Sequence, residues 1–170
     1  MILMFDLMTL YRIANWCYRH HIPFIPTLCR LSMFMFHGSR IPAKTKIGKG
    51  TKFTARGMGV IMNGDEIIGD HCQIGHHVKM LRKYPYKECA HVGNNVFISS
   101  GAVLMGNVRI GDNAIISANS VVTKSVPDGC IVAGVPAKII GHTADLGYDL
   151  FSNPKDKEGF EPYLEEKKKA

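Results

Sequence analysis

The chain predicts a mainly β fold, a parallel β-helix of short strands with an α-helical N-terminal segment. Three observations carry that expectation. Val92, Ile98, Leu104, Ile110, Ile116 and Val122 recur at a constant spacing of six. Val96, Ala102, Val108, Ala114 and Ser120 follow the first five of them at four residues' distance. Gly then stands beside many rung residues, in "IGKG", "IGDH", "IGHH", "VGNN" and "IGDN". Neither an α-helix nor a flat strand has a six-residue period. Short strands joined at corners do, with one aliphatic per edge pointing into a narrow prism and stacked coils burying a continuous ladder. Gly, Asn and Asp suit the corners because they tolerate left-handed backbone angles.

Residues 1–40 read as a helical cap. Leu7, Leu10, Ala14 and Tyr18 recur at helical spacing, with Tyr11 and Trp16 nearby. "IPFIP" breaks the segment, since Pro cannot donate a backbone hydrogen bond inside a helix. A second short helix over residues 28–36 ends in "MFMF", apolar on every side. Such a helix either packs on the prism or a neighbouring subunit, or lies in a membrane interface. In the second case residues 1–36 make peripheral membrane contact, with Arg12, Arg19 and Arg30 facing lipid headgroups.

Residues 41–141 carry the repeat. An early ladder runs Ile41, Ile47, Phe53. Its phase slips by three residues across "TARGMGV", and a second ladder runs Met62, Ile68, Ile74, Met80. "LRKYPYKECAH" follows as a loop leaving the prism, and the phase resumes at Val92. About five or six coils are expected, stacked at roughly 4.8 Å. Residues 142–170 form a polar tail of mixed charge.

Composition narrows the function classes. The 170 residues carry 21 Lys+Arg against 14 Asp+Glu, a formal charge of +7 that suits an anionic ligand or surface. No RNA-binding aromatic motif, recognition helix or finger spacing occurs, so no nucleic-acid partner is expected. Five cysteines without a C-x-x-C argue against a disulfide frame or structural zinc and for a reducing, cytoplasmic setting. The N-terminus lacks the basic region of a signal peptide. Its longest apolar run, interrupted by Pro23, Pro26 and Arg30, falls short of the roughly 20 residues that span a bilayer.

At this point the residues resemble a family. "IGDNAIISANSVVTKSVPDGCIVAGVPAKII" (residues 110–140) looks like the last coils of hexapeptide-repeat acyltransferases. "LYRIANWCYRHHIPFIP", "SRIPAKTKIGKG" and "GMGVIMN" make the chain similar to the small serine-acetyltransferase-like O-acetyltransferases of polysaccharide gene clusters. The resemblance covers residues 10–141. It implies a left-handed β-helix, a homotrimer, acetyl-CoA as the donor and active sites in the clefts between neighbouring prisms. It implies CoA contacts along the small-residue runs, at Ser100, Gly101, Ala102, Ala118, Asn119 and Ser120, with Pro136 and Lys138 at the adenine and phosphate end. Where the family has Gly-Ala and Gly, this chain has Ser99-Ser100 and Ser117. The acceptor it implies is a sugar hydroxyl, or a serine-like molecule.

The chain departs from that family at three positions. The serine-acetyltransferase branch relies on an Asp and two His. The matching residues here are Arg40, Ala55 and Cys89. Two explanations follow. Another histidine is the base, with His76, His77 and His91 as unranked candidates; an imidazole, with its ordinary pKa of about 6.5, suits removal of a hydroxyl proton. Alternatively the chain has lost chemistry and acts as a trimeric binding or regulatory partner. Cys89 is a weaker candidate nucleophile, its thiolate favoured if Arg82, Lys83 and Lys87 lie near. A metal hydratase of the γ-class carbonic anhydrase type would use His71 and His76. These two sit at different phases of the repeat and lack a third His, so no metal is expected.

Overall fold

The structure, a computed structural model, describes residues 6–147 except residue 86. Residues 1–5 of the expected cap and residues 148–170 of the expected tail lie outside the described residues.

Two helices packed on each other open the fold, α1 (Leu7–Arg19) and α2 (Ile25–His37). Asp6 caps α1 by accepting the Thr9 N–H, and Gly38, in the left-handed region, ends α2. Leu7, Leu10, Tyr11, Ala14 and Cys17 form the buried stripe of α1. Tyr18, expected in that stripe, is exposed; Cys17 takes the inward position in the last turn, close enough to Cys29 of α2 to influence its thiol.

A prism of parallel strands follows. Its first face stacks β1 (Lys46–Ile47), β3 (Ile67–Ile68), β6 (His91–Val92) and β9 (Arg109–Ile110). The second face stacks β2 (Lys52–Phe53), β4 (Gln73–Ile74), β7 (Phe97–Ile98), β10 (Ile115–Ile116) and β12 (Cys130–Gly134). The third stacks β5 (Lys79–Leu81), β8 (Val103–Met105) and β11 (Val121–Val122), preceded by single bridges at Arg40 and Ile61. β13 (Ala137–His142) turns back antiparallel on β12 and ends the stack. Each face therefore carries five rungs: Ile47, Ile68, Val92, Ile110, Val126; Phe53, Ile74, Ile98, Ile116, Val132; Ile41, Met62, Met80, Leu104, Val122. All but Phe53 are buried. Each buried aliphatic contributes about 1.5–3 kcal/mol, which is why the ladder dominates the fold.

Two insertions explain the irregular beat. The phase slip is a 3-10 turn, Thr54–Gly57, in which Ala55 and Arg56 adopt φ of 46° and 56°. The second is the loop of residues 82–90, which leaves the prism and holds Tyr84 in solvent. Between them the corner joining first and second faces is a ladder of acceptors. Asp70, Asn94, Asp112 and Asp128 each accept the backbone N–H of Lys49, Asp70, Asn94 and Asp112 respectively, one coil earlier.

The helices close the open start of the prism. The first coil has no preceding coil to pair with, and an unpaired strand edge invites aggregation. Tyr11 donates its hydroxyl to the Thr45 carbonyl at 2.6 Å, and Asn15 donates to the Ala43 carbonyl at 2.7 Å. Arg12 donates to the carbonyls of Ile47 and Gly48. Arg12 is thus engaged with the prism, which corrects the expectation that it faces lipid headgroups. Only Cys29, Met33 and His37 of α2 are buried; Phe34, Met35 and Phe36 are exposed.

Candidate active site

The corner between second and third faces gathers most of the sequence-predicted site residues. Its successive steps are Met58-Gly59, His76-His77, Ser100-Gly101 and Ala118-Asn119, tied by backbone bonds: His77 N–H to Met58 O, Gly101 N–H to His76 O and Asn119 N–H to Ser100 O. The β12–β13 turn with Pro136 stands at the end of this edge, where the Gly134 N–H donates to Ser120 Oγ at 3.2 Å.

His76 and Ser100 meet here. Ser100 Oγ lies 2.9 Å from His76 Nδ1, with both residues partly exposed. They are 24 residues apart, a distance made of one full coil and the inserted loop. The loop length hid this pairing from sequence reasoning, which gave Ser100 as a small residue in contact with CoA and not as a partner of His76. When Nδ1 carries the proton it donates to Ser100, leaving Nε2 as the acceptor. His77 sits 5.4 Å from His76, ring centroid to centroid and edge-on. Its ring covers Gly59, where a Cβ would come within 2.2 Å of His77 Nδ1. His77 is thereby packed as a corner residue at φ 57°.

The remaining candidates are distributed differently. His91 is exposed on the first face, paired between Ile67 and Arg109. That face lies opposite the His76 edge, so one chain does not bring His91 and His76 together. Ser100, Gly101, Ala118 and Asn119 line the edge itself. Ala102 and Ser120 are fully buried, so their side chains point into the prism and only their backbone is near the edge. Pro136 and Lys138 are exposed in the terminal hairpin. The residues fit a narrow extended arm such as that of CoA: in the two steps beyond His76-His77, Ser100-Gly101 and Ala118-Asn119, no side chain is larger than Asn119. Gly101, at φ +75°, leaves no room for a Cβ under the Asn119 amide.

The three departures from the family pattern find places too. Ala55 lies in the Thr54–Gly57 turn, at the same corner one coil before His76. Arg40 is exposed at the start of the third face. Cys89 is buried in the loop, and burial pushes its thiol pKa up despite the neighbouring Arg82. A protonated, buried thiol is a poor nucleophile, which weighs against the Cys89 alternative. His71 belongs to the other corner, with its ring over Gly50. Among the described residues no three His, Cys, Asp or Glu side chains gather as a metal site, and His71 and His76 stand on different edges.

Comparison with known proteins agrees with this architecture. Residues 89–124 match the family model "Bacterial transferase hexapeptide (six repeats)". The chain is 35% identical over 138 residues to the serine acetyltransferase of Synechococcus elongatus, covering 80% of this chain and 56% of that protein. It is 37% identical over 121 residues to that of Staphylococcus aureus, covering 66% and 53%. The serine acetyltransferase of Brucella abortus in complex with coenzyme A superposes with a TM-score of 0.76 at 28% identity, covering 80% of this chain and 55% of that one. That of Neisseria gonorrhoeae in complex with serine gives 0.74 at 27%, covering 79% and 55%. The chain spans about half the length of the relatives it matches. The six-residue beat, the three-faced stack and these likenesses give the chain the left-handed β-helix fold, with residues 89–124 carrying the hexapeptide repeat of the matched transferase family.

Proposed function

We propose that this chain is an acetyl-CoA-dependent O-acetyltransferase whose general base is His76. The observation that carries the reading is the 2.9 Å contact between His76 Nδ1 and Ser100 Oγ, on the edge that also presents Gly101, Ala118 and Asn119. The base acts one coil beyond Ala55, the position where the resemblance places a histidine. Ser100 holds the ring. Nε2 takes the acceptor's proton as the hydroxyl oxygen attacks the thioester carbonyl, and the imidazolium returns that proton to the departing thiolate. Acetyl-CoA is the donor substrate, its arm laid along the edge toward Pro136 and Lys138.

Serine is the first acceptor to test, because the relatives are named serine acetyltransferases. A sugar hydroxyl of polysaccharide biosynthesis is the second, favoured by the exchange of the serine branch's acid–base positions for Arg40, Ala55 and Cys89. The edge is open to solvent in one chain. A homotrimer in the cytoplasm, with a neighbouring prism walling the edge, completes the reading. Its mass is three times the 18.9 kDa chain.

Thiol release from acetyl-CoA, measured with L-serine and with a panel of sugars, tests the activity. Release that requires one of these acceptors and disappears in His76→Ala supports it. Binding of CoA without release for any acceptor supports the non-catalytic alternative instead.

A further inference from the structure

We infer that the outward face of α2 docks the protein on an anionic phospholipid surface. Phe24, Leu28, Leu31 and Met35 are spaced four, three and four residues apart, one stripe of a helix, and are 85%, 65%, 53% and 69% exposed. Phe34 and Phe36 widen the stripe. An apolar face of this extent on a helix whose opposite side is already packed marks an interaction surface.

The distribution of charge identifies the partner. Residues 7–64, which hold both helices and the first coil, carry nine Lys and Arg and no Asp or Glu. The rest of the chain carries twelve Lys and Arg against fourteen Asp and Glu, so the whole positive excess sits at the helical end. Apolar and cationic groups share one groove of about 350 Å³, lined by Thr27, Arg30, Leu31, Phe34, Ser39 and Arg40. A groove of that composition receives acyl chains on its apolar wall and phosphate on its two guanidinium groups. Tyr18 and Trp16 on α1 are also exposed, and such amphipathic rings favour the headgroup level. A second copy of the chain fits less well, because pairing this end with itself would bring like charges together. No described helix is long and apolar enough to cross a membrane, so the contact is peripheral.

This inference stands apart from the acetyl-transfer reading. Its test is co-sedimentation of the full chain with phosphatidylcholine vesicles, with and without phosphatidylglycerol. Binding is expected only with the anionic lipid, weakened by salt. Leu31→Ser with Phe34→Ser, both at exposed positions, lowers binding at least tenfold. Arg30→Glu removes the preference for anionic lipid. Thiol release with a soluble acceptor stays unchanged in both variants, which separates this inference from the activity. Intact protein that stays in the supernatant overturns the inference. So does binding that the Leu31/Phe34 variant retains, or a change of oligomeric mass in that variant with vesicle binding intact, which would assign the face to a second copy.

Discussion

His76 Nδ1 and Ser100 Oγ are 2.9 Å apart on one edge of the prism, although a coil and a loop separate them in the chain. With His76 proposed as the base, the three histidines are expected to differ. His76→Ala is expected to lower turnover about 10²- to 10⁴-fold, the usual contribution of a general base. Ser100→Ala removes one orienting hydrogen bond of about 1 kcal/mol and lowers kcat roughly fivefold. His77→Ala and His91→Ala leave turnover within that smaller range. Steady-state thiol release on the four variants checks the order; full activity in His76→Ala would end the assignment.

Gly101 lies under the Asn119 side chain at φ +75°, with space for a Cβ only 2.1 Å from the amide oxygen. Gly101→Ala strains the backbone and displaces Asn119, at a cost of about 1–3 kcal/mol. Urea unfolding should show that loss. Because the strain falls on the edge itself, the KM for acetyl-CoA should rise as well.

Tyr11 is buried beneath the first coil, and its hydroxyl donates to the Thr45 carbonyl. Burial raises its pKa above the ordinary tyrosine value, with Arg12 working in the opposite direction. The sign follows from the neutral protonated form. The bond's contribution is whole below about pH 10, where the unfolded phenol is also protonated, and is lost as pH rises through the folded value. Tyr11→Phe is therefore expected to lose about 1 kcal/mol at neutral pH. The gap between variant and parent should narrow in alkali. Unfolding curves taken from pH 7 to pH 11 measure both.

All five cysteines are free and buried. Burial raises the thiol pKa of Cys29, Cys72 and Cys89. Thiol titration with a disulfide reagent at mild alkaline pH should find less than one fast-reacting group per chain in the native protein, and five after denaturation. A single fast thiol assigned to Cys89 by mass spectrometry would restore it as a candidate nucleophile.

The ladder was legible in the sequence because each rung is a local choice between aliphatic and polar, repeated at a spacing that no other regular structure uses. Ile74, Ile98 and Ile116 fall on one face as the count of six requires once the loop is set aside. The N-terminal helices were legible from their spacing and from Pro23 and Pro26, but their faces were not. Tyr11 rather than Tyr18 turned inward because the carbonyls of the first coil stand beside the start of α1, a fact of docking rather than of periodicity.

The sequence by itself determined the repeating prism and its small-residue runs, since these follow from composition and local spacing. Tertiary structure alone decided which candidates share an edge. The length of the loop at residues 82–90 sets how the coils stack, and so places Ser100 rather than another residue beside His76. The same stacking sends His91 to the opposite face and buries Cys89. Register between coils is a long-range property, and no count along the chain contains it until the insertions between the coils are in place.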